Sequence, residues 1–138
     1  MTRGERGFVA TELAVGVALL VVPVTLLVGG LPGWFDRQST ARVAAREAAR
    51  ATTLAGWCDT ASARRVVEDV AVDAHLPRSA LQLDLDCEAG SPLERNGVVT
   101  ARVTVRMPAL SVPMIGAVTA WDWTAAHIEP VDPYGSRP

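Results

Sequence analysis

Lysine is absent from the chain: all 13 basic residues are arginine. Together with the abundance of alanine, valine and glycine this suggests a GC-rich genome and carries no mechanism. Histidine and cysteine occur twice each, as His75, His127, Cys58 and Cys87. Two thiolates do not complete a tetrahedral zinc site, and their spacing matches no zinc pattern. There is no glycine-rich phosphate loop, no nucleophile elbow and no HExxH stretch, so an enzyme reading has only scattered acids to stand on. No catalytic residue, metal or cofactor is therefore expected. Acids and bases are nearly balanced, and a net charge of -2 gives no case for nucleic acid binding.

What the chain does have is one long apolar run. From Leu13 to Phe35 there is no charged residue. At the helical rise this run extends roughly 34 Å, enough to cross a hydrocarbon core about 30 Å thick. Glu12 stands at its start, four residues after Phe8. A carboxylate near the centre of a bilayer costs on the order of 2.5 to 3.5 kcal/mol, less near the interface, and so calls for a partner. Arg3 and Arg6 are candidates. A third is the amino group that cutting the Gly7-Phe8 bond would create at Phe8.

Gly7 followed by Phe8 and then Glu12 resembles the processing site of type IV prepilins. In that family a membrane-embedded aspartyl peptidase cuts after the glycine, and the mature chain begins with a hydrophobic residue and carries glutamate at its fifth position. The opening from Arg6 to Ala14, with the Ala- and Arg-rich stretch from Ala41 to Ala51, resembles the TadE family of the tight-adherence (Flp) pilus system, particularly its actinobacterial forms. The likeness continues into Val98 to Met107 and the tail from Pro130 to Tyr134. Pro23 lies farther from Glu12 than the proline does in many relatives. The resemblance implies a membrane-anchored minor pilin or pseudopilin, cleaved between Gly7 and Phe8, whose Glu12 pairs with the N-terminal amine of a neighbour and sets register. It implies prepilin peptidase, other pilin-like subunits, a pilus assembly platform and the membrane as partners. The expected location is the plasma membrane, single-pass, with the N-terminus cytoplasmic and the C-terminal domain extracytoplasmic.

The implied organisation is a leader over 1–7, a transmembrane helix over 8–35, an extension of that helix over 36–57, an extracytoplasmic α+β domain over 58–128, and a flexible tail over 129–138. The positive-inside rule does not settle orientation, because Arg37, Arg42, Arg46 and Arg50 outnumber Arg3 and Arg6. Two other readings stay open. One is an uncleaved bitopic scaffold or binding protein, with Glu12 as an intramembrane contact. The other is a secreted domain released by signal peptidase near Gly30, although the apolar run exceeds the usual h-region.

Gly29-Gly30-Leu31-Pro32-Gly33 predicts a break or kink at the membrane surface, with Trp34 in the interface belt. Beyond it, Asp36 to Trp57 favours helix. Arg42, Arg46 and Arg50 share one face of that helix, flanked by Ala41, Ala44, Ala45, Ala48 and Ala49. The plainer reading is a solvated arginine face. The other is a docking face for a pilin-like helix or anionic head groups, which the small residues would allow to approach closely.

A second helix is predicted over about Thr60 to His75, capped by Asp59 or Thr60, with Arg64–Glu68 and Arg65–Asp69 pairs four apart. From Leu81 the pattern alternates, with Leu83, Leu85 and Cys87 inward and Asp84, Asp86 and Glu88 outward. Gly90 to Gly97 reads as turns. Val99, Ala101, Val103, Val105 and Met107 then face inward on a second strand, antiparallel to the first, so that Asp84 or Asp86 meets Arg102. The three acids form no ligand-dense loop for calcium. Pro108 to Pro113 reads as a loop, and Ala117 to Ile128 as one further strand bringing Trp121 and Trp123 into the core. Cys58 and Cys87 would form a disulfide on an oxidising side, closing a loop of about 30 residues, the alternative being two buried thiols. The fold class is α+β: a long N-terminal transmembrane helix, a second helix and a three-stranded antiparallel sheet.

Overall fold

The computed structural model describes residues 3–88, 92–112 and 116–133. Met1 and Thr2 of the expected leader, Gly90 and Ser91 of the turn stretch, Pro113, and Tyr134 to Pro138 of the tail lie outside these residues. Helix α1 (Arg3–Ala55) is followed by α2 (Thr60–Asp73), β1 (Leu81–Cys87), β2 (Val98–Arg106), β3 (Leu110–Val112), β4 (Gly116–Val118) and β5 (Asp122–Pro130). β1, β2 and β5 form a three-stranded antiparallel sheet in the order β1-β2-β5, and β3 with β4 forms a separate two-stranded ribbon. Both helices pack on the sheet. The α+β architecture read from the sequence is the one observed.

α1 occupies two environments. Its first half is apolar and uncovered: Leu13, Leu19 and Leu20 are each about two-thirds exposed. From Ala41 onward the same helix carries an alanine stripe at positions 41, 44, 45, 48 and 49, the 3.6-residue spacing of a single face, and all five are fully buried. Alanine lets the helix backbone approach closely, so the core is thin and made of small side chains: Ala63, Val67 and Ala71 of α2, and Val99, Ala101, Val103 and Val105 of β2. Thr52 is buried among them with its hydroxyl satisfied, donating to the Ala48 carbonyl at 2.8 Å.

The helix does not break at Gly29 to Gly33. It runs on through both Pro23 and Pro32, so the break that residue preference allowed at the membrane surface is not made. A proline inside a helix removes one backbone bond, at a cost of about 3 kcal/mol, which tertiary contacts can offset. Such contacts sit directly beyond Pro32. The Trp34 indole Nε1 donates to the Pro108 carbonyl at 3.2 Å, and Arg37 Nη1 donates to the Arg106 carbonyl at 2.7 Å. Trp34 also meets Trp121 edge-on, with centroids 5.0 Å apart.

α1 stops at Gly56, which takes φ +72, a conformation an L side chain rarely adopts. Asp59 then caps α2, accepting from the Ala61 and Ser62 amides at 2.9 and 3.2 Å. Its carboxyl is held below the ordinary carboxylate range, chiefly by the Ser62 hydroxyl that donates to it at 2.6 Å and then by the Ser62 amide. Glu68 and Asp69 turn to Arg78, at 3.6 and 3.2 Å, rather than to Arg64 and Arg65 as their spacing suggested. The basic-before-acidic order on a helix is the weaker one, and Arg78 approaches from beyond the helix end.

At the C-terminus of α2 His75 adopts φ 58, with its amide on the Val72 carbonyl and the Leu76 amide on the Ala71 carbonyl. This paired return is the motif in which glycine is the usual residue. His75→Gly is therefore expected to raise the unfolding free energy by about 1 kcal/mol, relief of the left-handed strain outweighing the added freedom of the unfolded chain. Thermal melts of the two proteins side by side check this. A lower midpoint for the glycine variant would mean that the imidazole makes a contact worth more than the strain.

The sheet follows the alternation closely. Cys87 lies opposite Val99 and Asp84 opposite Arg102. Leu81, Val99, Ala101, Val103, Val105 and Met107 are buried beneath the helices, while Gln82, Asp84, Asp86, Arg102 and Arg106 are exposed on the other face. Three expectations fail at the end of the chain. Ala117 to Ile128 is not one strand: β4 belongs to the ribbon, and the chain re-enters the sheet only at Asp122, where the Met107 amide takes the Trp121 carbonyl at 2.8 Å. The stretch between Pro108 and Pro113 contains β3 instead of being loop throughout. Glu129 and Pro130, assigned to the tail, are the last residues of β5, and the Val131 amide is tied to the Gly97 carbonyl at 2.9 Å.

Candidate functional site

Three groups of residues singled out by the sequence take their places on this frame. Gly7 and Phe8 lie on the helical backbone of α1, and Glu12 is exposed on its surface at the edge of the uncovered apolar segment. Cys58 and Cys87 are joined in a disulfide with Cα atoms 6.2 Å apart. The bridge ties the short connection between α1 and α2 to the last residue of β1, 29 positions later in sequence. Two free buried thiols are thereby excluded. Nearby Leu93 is buried, and its amide donates to the Gly56 carbonyl at 3.0 Å, closing the same end of the domain.

Arg42, Arg46 and Arg50 are all exposed, on the flank of α1 next to the alanine stripe. The two features part company here. The alanines are consumed inside the chain, against its own sheet and second helix, and are not free to receive another helix. The arginines border an open groove of about 590 Å³ whose other wall is β5, from Trp123 through His127, with Glu129 at its end. The Arg42 guanidinium lies over the Trp123 ring at 5.2 Å from its centroid. His127 Nε2 is 2.9 Å from a Glu129 carboxylate oxygen, both side chains about one-third exposed.

The sequence singles out the arginines but not Trp123, His127 and Glu129 as their neighbours. The available signal was the alternation of β5: Trp123, Ala125, His127 and Glu129 fall on one side, the side turned to α1. Trp121 and Trp123 do not enter the core together. Trp123 is half-buried over the groove, and Trp121, outside the strand, is 39% exposed beside Trp34. Asp84 pairs across the strands with Arg102 at 3.6 Å. Among the described residues no three metal-ligating side chains come together.

α1 is long and apolar enough to cross a membrane, with the qualifying window in its uncovered, N-terminal half. Comparison of the chain with protein-family models, curated proteins and solved structures finds no match.

Proposed function

We propose that the chain is a TadE-like minor pilin or pseudopilin, a non-enzymatic subunit held in the plasma membrane by α1 and used in assembling a tight-adherence pilus. The observation that carries this reading is the division of one continuous helix into a bare apolar half and a half buried under its own domain. A bare surface of leucine and valine is stable in lipid or among like helices, and not in water. Gly7, Phe8 and Glu12 stand at the start of that half, where a peptidase acting at the cytoplasmic face would meet them. The disulfide at the far end of the helix suits an oxidising compartment and so supports a reading in which the domain lies outside the cell.

In this mechanism the leader is removed between Gly7 and Phe8, and the new amine of one subunit neutralises Glu12 of another. A carboxylate paired in this way no longer opposes residence in an apolar bundle, and its position fixes the stagger between subunits. The test is the mature N-terminus, read by mass spectrometry on protein from cells with and without a prepilin peptidase. A terminus at Phe8 that requires the peptidase and is lost in Gly7→Arg is the expected result. Retention of Met1, or a cut near Leu31, overturns the proposal.

A further inference from the structure

β5 is an edge strand, because the sheet order ends with it. An open edge presents unpaired amides and carbonyls and is a template for another strand unless charge, proline or a covering element blunts it. The two edges of this sheet differ. β1 carries Asp84 and Asp86 along its exposed face, with Glu88 just beyond its end, whereas β5 has no acid and no arginine from Trp123 to Ile128. Thr124, Ala126 and Ile128 are exposed on its outer face. Residues of both parities, Trp123 through His127, line the groove, so its wall is the backbone edge itself and not one row of side chains.

The opposite wall is the row of Arg42, Arg46 and Arg50. α1 and β5 run in the same direction, since Trp34 meets Trp121 and, further along both, Arg42 meets Trp123. The arginines recur every four helical residues, about 6 Å, and alternate residues of a strand recur every two, about 6.8 Å. A strand laid along β5 would thus present every second side chain to successive guanidiniums. The one acid in the groove, Glu129, is already held by His127, which leaves the arginines to an incoming anion.

We infer that this groove binds an extended acidic peptide segment of a partner protein, added antiparallel or parallel to β5, with carboxylates at alternate positions on Arg42, Arg46 and Arg50. Backbone pairing supplies affinity and the arginine row supplies selectivity. The inference rests on the groove alone and stands or falls independently of how the N-terminus is processed.

The test uses the full chain in phosphatidylcholine nanodiscs and a fluorescent peptide alternating valine and aspartate over seven residues, followed by anisotropy. Binding is expected at low salt, weakening as salt rises. Arg46→Glu is expected to weaken it about tenfold, by replacing an attraction with a repulsion at an exposed site. Two further peptides carry N-methyl groups, on the aspartates in one and on the valines in the other. Only alternate amides of an added strand face β5, so one of the two peptides should lose binding and the other keep it. Equal binding of both N-methylated peptides, or of a sequence-scrambled peptide of the same composition, overturns the strand-addition geometry. So does self-association of the chain through the same arginines that the peptide cannot compete away, which would assign the groove to a second copy.

Discussion

Reduction of the Cys58–Cys87 bridge, or the double change Cys58→Ser with Cys87→Ser, is expected to lower the unfolding free energy by about 3 to 4 kcal/mol in the chain-entropy account. The loop it closes spans 29 positions and contains all of α2 and β1. Without the bridge the unfolded chain regains the freedom of that loop, while the folded domain keeps its contacts. The core offers little to compensate, since nine of the sixteen residues of its buried cluster are alanines. For a domain of 60 to 100 residues the loss corresponds to a fall of roughly 12 to 30 °C in Tm. Near-ultraviolet circular dichroism is a suitable probe, because Trp34, Trp121 and Trp123 all lie where α1 meets the C-terminal part of the sheet. Melts of the oxidised and reduced chain in the same detergent give the difference directly. A change of only a degree or two would mean that the bridge constrains little in the unfolded chain.

That expectation also bears on where the domain lives. A domain that loses this much stability on reduction belongs on an oxidising side. The proposed orientation, with the domain outside, would then have support independent of the arginine count around the helix, which the sequence left ambiguous.

Residues whose role is local were legible from the sequence, and residues whose role depends on distant partners were not. Alternation narrowed the register of β1 on β2 to two choices, Asp84 or Asp86 opposite Arg102, and the structure takes the first. The cap of α2 was legible to within one residue, Asp59 or Thr60, because the partners of the Asp59 carboxylate are only two and three residues away. Pro32 misled because the contacts that offset it come from Pro108 and Arg106, more than sixty positions later. The split between β4 and β5 was hidden because no glycine or proline interrupts Ala117 to Ile128. Only the Met107–Trp121 backbone bond shows where the sheet resumes. The groove combines the two cases. Its arginine row is local to α1, and its facing wall comes from a strand some eighty residues away.

The alanine stripe gives the second large effect. Ala45 lies at the centre of the stripe and has no exposed surface. Ala45→Leu adds three carbons where the helix backbone already abuts the sheet and α2, so either the helix lifts or side chains leave their preferred rotamers. We expect a loss of about 3 kcal/mol, at the upper end of what overpacking usually costs. Arg46→Leu is the control: one residue along, of the same new type and equally compatible with helix, but exposed, and expected to stay within about 0.5 kcal/mol of the parent. Urea unfolding of the three proteins separates the cases, and unchanged slopes would show that stability and not the unfolded state has moved. If Ala45→Leu is as harmless as Arg46→Leu, the helix does not pack tightly on its own sheet. The stripe would then be available to a second helix, and the division of α1 into a bare half and a self-buried half, on which the pilin reading rests, would fail.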